Sequence, residues 1–448
     1  MKSSFKGGVF LPQNKNTAGK IIEKMPLSRI VNIPLDQHIE NPCIPLVKVG
    51  DKVDKGQIIA NVESGIGCPV SASVSGIVSS IETKVNSEGQ SYEQISITND
   101  YEERLSPDIR PINKTLNNLS LNDVIEITKK AGIVSTGDIA YPVYEDLKKS
   151  DDKIKHLIIN CVESEPYITA NHRLLIEQPK KVLYGMKILL KVFDLKKGYI
   201  AIENRKPSAI EVIEKQTEGR SFAEICVMKT KYPQSDESQI IYALTGKELG
   251  AGSHPSDVGC LVLGAETVAA IYDAVVLGMP MIERIVTVDG DCVRHPKNVY
   301  VRIGTPVNEI IDICGGLIRE PSKIIFGGTM KGIAQSDIHT PVTKGTNAVL
   351  LFSNKKRVRL PQNPVCIRCG RCVERCPVRL MPNYLVSFAS KEQYDKCREF
   401  NIFNCIECGS CSYDCPAGIP IARSIKAAKQ KMLVPKENSE EKGEDQVE

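Results

Sequence analysis

Two copies of one cysteine run constrain this 448-residue chain more than any other feature. Cys366, Cys369, Cys372 and Cys376, followed by Pro377, spell C-x2-C-x2-C-x3-C-P. Cys405, Cys408, Cys411 and Cys415, followed by Pro416, spell it again. Three close cysteines on a tight loop reach three irons of one cubane, while the fourth is displaced. In two-cluster proteins built on this run, the fourth cysteine ligates the other cluster. The spacing therefore assigns Cys366, Cys369, Cys372 and Cys415 to one 4Fe–4S cluster, and Cys405, Cys408, Cys411 and Cys376 to the other. A pair of zinc sites is the competing reading, because CxxC pairs also suit tetrahedral zinc. Zinc has no use for a third evenly spaced cysteine followed by Cys-Pro, and two intact copies of the longer run weigh heavily against it.

The totals exclude several function classes. Lys and Arg number 58 against 54 Asp and Glu, a net charge of +4. A nucleic-acid footprint needs a concentrated basic face, which this balance does not suggest. No stretch approaches the roughly eighteen consecutive apolar residues of a membrane span. The start, Met1-Lys2-Ser3-Ser4-Phe5-Lys6-Gly7-Gly8, has no apolar run after its lysine, so no export signal is expected. Sixteen cysteines in a chain that is not exported point to metal or redox work in a reducing cytosol rather than to disulfides.

The length predicts roughly three or four domains. Residues 1–40 read as an irregular N-terminal extension punctuated by Gly7-Gly8, Pro12 and Pro26. Residues 41–110 read as short strands: Val47 to Val53, Lys55 to Ala60 and Val70 to Ile81 alternate in the manner of half a lipoyl or biotinyl carrier. Such carriers need a lysine at a hairpin tip, and Asn61 to Ser75 contains none, so a β scaffold is expected. Residues 111–282 alternate helix and strand. Helix is expected over 115–150, interrupted at Ser135-Thr136-Gly137-Asp138, and again over Asn171 to Phe193 and Pro207 to Lys215. Strands are expected at Leu157 to Asn160 and Gly198 to Ile202, giving an α/β layer with parallel strands. Residues 283–356 mix strands at Val286 to Val288, Val299 to Ile303 and Val349 to Phe352 with a helix from Val307 to Cys314. Residues 357–432 hold the cysteine block, and residues 433–448 form an acidic tail expected to be disordered.

Within the block, Val378 to Asn404 is long and helical in pattern, which favours an α-helical ferredoxin module over the compact β-containing kind. Cys397 lies on that helix outside both runs and reads as a small buried hydrophobe. The first run carries Arg368, Arg371, Arg375 and Arg379 against Glu374; the second carries Glu407 and Asp414. Positive charge favours the reduced, more negative cluster, so the first-run cluster is expected at the higher potential, unless the arginines are solvated or dock an acidic partner.

The whole chain, from about Phe5 to Met432, resembles the RnfC family, the soluble, NADH-side component of the ion-pumping Rnf complex and a relative of the flavin subunit of complex I. The resemblance rests on Phe5-Lys6-Gly7-Gly8, Pro34-Leu35-Asp36-Gln37-His38-Ile39, Val47-Lys48-Val49-Gly50-Asp51 and Glu163-Ser164-Glu165-Pro166-Tyr167. Tyr232-Pro233-Gln234, Gly304-Thr305-Pro306-Val307, Pro341-Val342-Thr343-Lys344-Gly345-Thr346 and Cys366-Ile367-Arg368-Cys369-Gly370-Arg371-Cys372 complete it. It implies a multidomain α/β and β architecture: a barrel-sandwich hybrid, a Rossmann-like flavin domain, a β-grasp SLBB domain and an α-helical ferredoxin domain. It also implies FMN and NADH sites in which Gly137, Glu163 and Glu165 take part. Redox partners would be Rnf-type membrane subunits or a soluble reductase, with the chain cytoplasmic or peripheral on the cytoplasmic face of the membrane.

Two departures bear on the flavin. The family's loop, approximately G-x-G-G-A-G-F-P-T, lets backbone amides approach phosphate closely. Here the stretch is Ser135-Thr136-Gly137-Asp138-Ile139-Ala140-Tyr141-Pro142-Val143, which keeps Gly137 and Pro142. Asp138 puts a negative charge where phosphate would sit, or caps a helix from Ile139 to Lys149. Cys161 stands where the family usually has glycine, and Glu163 and Glu165 read equally well as a solvated strand-end loop. A divergent relative such as the proline-reductase-associated electron-transfer protein would fit retained clusters with an altered hydride entrance. For such a relative Cys43, Cys68 and Cys161 are either packed and inert or a redox-active pair. The leading function is a relay carrying electrons from NADH or a reduced partner through the two clusters to another redox protein. The alternatives are a self-contained FMN-dependent NADH:acceptor oxidoreductase of the cobalamin-reductase kind, and a scaffold whose clusters are only structural.

Overall fold

The computed structural model describes residues 4–135, 140–356 and 361–433. The chain divides into two compact units, one comprising residues 1–5, 10–249 and 253–358, the other residues 6–9, 250–252 and 359–448.

In the first unit the alternating N-terminal segments form a β-sandwich. One antiparallel sheet runs Ile30–Pro34, Ser91–Asn99, Gly76–Val85, Lys52–Val53, and the other runs Ile44–Pro45, Ile58–Asn61, Val70–Ser71. Inward positions two residues apart, such as Val31 and Ile33 or Ile95 and Ile97, are fully buried between them. The strand Ile30–Pro34 pairs with Ser91–Asn99, so a domain opening at residue 41 would lose one of its strands. Residues 1–40 are correspondingly not all irregular. Ile22–Lys24 also adds an edge strand, parallel to Lys297–Arg302 nearly three hundred residues away. Both strands are short and flanked by prolines, and their partners are remote, so local pattern does not reveal them.

The α/β layer has a four-stranded parallel sheet in the order Ala223–Met228, Gly198–Glu203, His156–Asn160, Cys260–Gly264. Leu157, Ile158 and Ile159 are wholly buried, as a parallel strand covered on both faces requires. The helical stretch expected over Asn171 to Phe193 is two helices, Ala170–Glu177 and Pro179–Val192. Pro179 disfavours helical backbone at the residue before it, so Gln178 ends one helix and Pro179 starts the next. The helix read over 115–150 is likewise Leu121–Lys130 and Val143–Lys149; Gly137 and Asp138, with the start expected at Ile139, lie outside the described residues. The chain builds outward from His156–Asn160 in one direction, then returns to place Cys260–Gly264 on its other side. That reversal creates a crevice at the carboxyl ends of these two strands.

A six-stranded sheet completes the unit in the order Ile22–Lys24, Lys297–Arg302, Glu283–Asp289, Ala348–Phe352, Lys323–Phe326, Ile333–Gln335. The helix Val307–Ile313 packs its apolar side on that core.

The second unit is an internal repeat, each residue of the second cysteine run lying 39 positions after its counterpart. Backbone conformation repeats with it: Arg368 and Glu407 have φ of 55° and 54°, Gly370 and Gly409 of 78° and 77°, Arg379 and Gly418 of 57° and 66°. A short helix follows each loop, Arg371–Arg375 and Ser410–Tyr413, and then a longer one, Pro382–Ala389 and Ile421–Leu433. Cys397 is fully buried in the small core that these elements share.

Residues 6–9 lie across this unit. The Gly8 N–H donates to the Arg375 carbonyl at 2.8 Å. Gly7 has φ of +74°, and a Cβ there would stand 2.6 Å from the Cys376 carbonyl oxygen. Both the backbone angle and the close approach exclude a side chain. Gly7→Ala is expected to destabilise the second unit by on the order of 2 kcal/mol. Limited proteolysis of the whole chain should show earlier cleavage within residues 361–433, and an unchanged digestion profile would contradict this.

Candidate functional site: paired cysteine loops and an acidic cleft

The second unit brings the two cysteine runs against each other. Cys376, the last cysteine of the first run, lines a small cavity with Cys405, Cys408 and Cys411 of the second. Pro377, Leu380, Ala422 and Ile425 supply apolar walls. Burial, then the neighbouring thiol of Cys408, pushes Cys405 up to about 11, and burial with Cys408, Cys405 and Cys376 pushes Cys411 up further. The Cys376 sulfur accepts the Leu380 N–H at 3.2 Å, a bond that would stabilise a thiolate. In the first loop Cys366 and Cys369 are exposed and Cys372 half-buried; Cys415 is half-buried too. Among the described residues, no three Cys, His, Asp or Glu side chains converge on one ion. A cubane does not ask for that, since its thiolates attach to separate irons, whereas a zinc ion draws four ligands to about 2.0–2.3 Å of one atom. The donor set, four soft thiols around an apolar void, fits an iron–sulfur cluster.

Ion pairs moderate the charge contrast between the runs. Arg375, next to Cys376, pairs with Asp414, next to Cys415, at 2.8 Å, so the residues flanking the two displaced cysteines are tied together. Glu407 is held by Lys429, whose ammonium also donates to the Cys405 carbonyl at 3.0 Å. Arg368, Arg371 and Arg379 remain exposed around the first loop.

In the first unit a cleft of about 340 Å³ opens at the carboxyl ends of His156–Asn160 and Cys260–Gly264. Glu163 and Glu165 both line it. Neither belongs to a solvated loop. Glu163 is 5% exposed, and its carboxylate accepts the N–H groups of Asn171 at 2.7 Å and His172 at 3.2 Å, capping the helix Ala170–Glu177. It also pairs with Lys206 at 2.6 Å, while Glu203 lies 3.4 Å from the same ammonium. Burial opposes charge on Lys206, yet Glu163 and Glu203 outweigh it and hold the amine above its usual pKa. Burial pushes Glu203 up as well, but Lys206 and Lys15 reverse the effect and hold it below. The group is therefore ionised and internally balanced.

Lys15 completes the frame. Its ammonium donates to the carbonyls of Glu163, Glu165 and Ile168 at 2.8, 2.7 and 2.7 Å. The Glu165 carboxylate accepts the N–H groups of Met330 and Lys331 at 3.0 and 3.1 Å. Sequence reasoning missed Lys15, Glu203 and Lys206. Glu203 does end an apolar strand, a weak signal, whereas nothing local marks Lys15 as a partner of residues about 150 positions away. Cys161, under this frame, is wholly buried, and burial drives its thiol up to about 12. Cys43, driven up to about 11, and Cys68 are buried likewise. All three read as packed rather than reactive.

The cleft volume falls within the range of small-molecule sites, and its place at the reversal of strand order is where α/β sheets bind ligands. Its described lining, however, carries Glu163, Glu165, Asp236, Glu237 and Glu266 against Lys331. That charge does not fit a phosphate, and no step is derived through FMN. Gly137 and most of the loop expected to cradle phosphate lie outside the described residues.

Four family models match the chain in sequence: the RnfC barrel sandwich hybrid domain over residues 3–102, the Nuo51 FMN-binding domain over 128–273, the SLBB domain over 285–334 and the 4Fe-4S dicluster domain over 365–419. The RnfC component of the Na+-translocating ferredoxin:NAD+ oxidoreductase complex of Acetobacterium woodii is 36% identical over 435 residues, which cover 96% of this chain and 97% of that protein. The chain belongs to the RnfC family. The corresponding component of the proton-translocating ferredoxin:NAD+ oxidoreductase complex of Clostridium ljungdahlii is 39% identical, covering 89% of this chain and 87% of that protein. Its counterpart in the ion-translocating oxidoreductase complex of Vibrio cholerae is 34% identical over 89% of this chain and 52% of that protein. This RnfC-family chain is thus an iron–sulfur electron-transfer protein with a 4Fe–4S dicluster domain. No helix among its described residues is long and apolar enough to cross a membrane.

The buried frame yields a direct expectation. Lys206→Met removes the cation between two buried carboxylates and should destabilise the first unit by about 3–5 kcal/mol. Urea unfolding of the variant checks this; a loss under about 1 kcal/mol would show that the carboxylates find another counter-charge.

Proposed function

We propose that this RnfC-family chain relays electrons from NADH or a reduced partner through two 4Fe–4S clusters to another redox protein, with each cluster borrowing its last thiolate from the opposite run. One cluster would use Cys366, Cys369, Cys372 and Cys415, and the other Cys405, Cys408, Cys411 and Cys376. The single observation that carries this reading is that Cys376 faces the same cavity as the three close cysteines of the second run. A bound cubane supplies reversible one-electron transfer. The protein supplies the thiolates, the Leu380 N–H aimed at one of them, and walls that keep water out.

The names of the relatives, ferredoxin:NAD+ oxidoreductase complexes, support ferredoxin and NAD+ as the ends of the path and Rnf-type membrane subunits as partners. Attachment to a membrane would then come through those partners, on the cytoplasmic face. Three domains followed by the two-cluster module, at the boundaries read from sequence but with the sandwich extended back to Ile30, would organise the path. A second reading, a self-contained FMN-dependent NADH:acceptor oxidoreductase, is favoured by the cleft at the strand-order reversal and by the match to an FMN-binding domain. Gly137, Glu163 and Glu165 would serve it. A flavin absorbance band in the purified chain, with NADH-dependent dye reduction, would establish that reading.

Crossed ligation is tested by Cys376→Ser and Cys415→Ser in anaerobically reconstituted protein. EPR should show Cys376→Ser altering the second-run cluster and Cys415→Ser the first-run cluster. Each variant perturbing the cluster of its own run would overturn the assignment. Potentiometric titration of the same samples should give the first-run cluster the higher midpoint, given the exposed Arg368, Arg371 and Arg379 beside it.

A further inference from the structure

The two cysteine loops share a backbone but not a surface. In the second loop Cys408 and Cys411 are buried. The helix Ile421–Leu433 outlasts its counterpart Pro382–Ala389, and its extra turns carry Lys429, which holds Glu407 and the Cys405 carbonyl. The first loop has no such cover among the described residues. Cys366 and Cys369 are exposed, Val365 is 75% and Ile367 66% exposed, and Arg368 and Arg371 are exposed without an ion pair among the described residues. An apolar centre flanked by unpaired arginines has the composition of an interface rather than of a solvated face. A partner exchanging electrons must also approach where a cluster is least covered.

We propose that the exposed face of the first loop, Val365 to Arg371, is the docking surface for an acidic one-electron redox protein. The proposal rests on the two-cluster reading and adds to it the point of contact and the charge of the partner. Arginines around an exposed apolar centre attract an acidic surface over a Debye length and orient it, which raises the association rate and makes it salt-dependent.

The repeat itself supplies the test. Glu407 and Ser410 occupy the positions of Arg368 and Arg371 on the same backbone, so Arg368→Glu with Arg371→Ser installs residues that this loop geometry already carries. Stopped-flow electron transfer between the reconstituted full-length chain and an acidic two-cluster ferredoxin is measured against ionic strength, with dithionite reduction, iron and sulfide determined on the same preparations. The wild-type rate should fall as salt rises. The double variant should be slower by about tenfold at low salt and nearly salt-independent, with dithionite reduction and iron content unchanged. Lys215→Glu, a remote charge reversal, should leave the rate unaltered, and a basic cytochrome as acceptor should show no loss. Should the double variant lose iron, Arg368→Gln carries the test, with a severalfold drop expected.

An unchanged ferredoxin rate in an iron-replete variant overturns the docking surface alone. Loss of self-association with unchanged transfer would assign the face to a second copy of the chain and overturn it too. Wild-type protein lacking iron and sulfide overturns the cluster reading, and the surface with it.

Discussion

A cubane takes four thiolates, and a C-x2-C-x2-C loop can aim only three. The fourth must come from elsewhere, and this requirement shapes the second unit. The displaced Cys376 stands beside the three close cysteines of the other run, and Arg375 and Asp414 clasp the chain next to both displaced cysteines. Gly7 lies against the Cys376 carbonyl where no side chain would fit. Neither loop reads as a site alone; they read as halves of one.

Much of this was legible in the chain because the cysteine run is local. Its spacing alone predicts the grouping of Cys376 with Cys405, Cys408 and Cys411, and alternation marks the buried strands at Leu157 and Gly198. What stayed hidden depends on remote partners. Ile22–Lys24 is a strand because Lys297–Arg302 offers it an edge. Glu163 could be read as solvated because nothing near it announces that Lys206, Lys15 and a helix N-terminus surround it. The break at Pro179 was available from local chemistry but was masked by the continuous apolar pattern on both sides.

The acidic cleft and the cluster module stand in different relations to the family. The cysteines keep the family's pattern without exception, while the cleft keeps its place in the sheet but spends its carboxylates internally: Glu163 on a helix end and Lys206, Glu165 on the loop at Met330. Those bonds hold strand ends, N-terminal segment and β-grasp loop together. The same residues can therefore be retained for architecture whether or not a flavin is held, which separates the two functional readings chemically.

Anaerobic purification with iron, acid-labile sulfide, zinc and flavin quantified on one sample tests the account at its centre. Two clusters predict about eight irons and eight sulfides per chain. Stoichiometric zinc, or a folded chain with no metal, would contradict it.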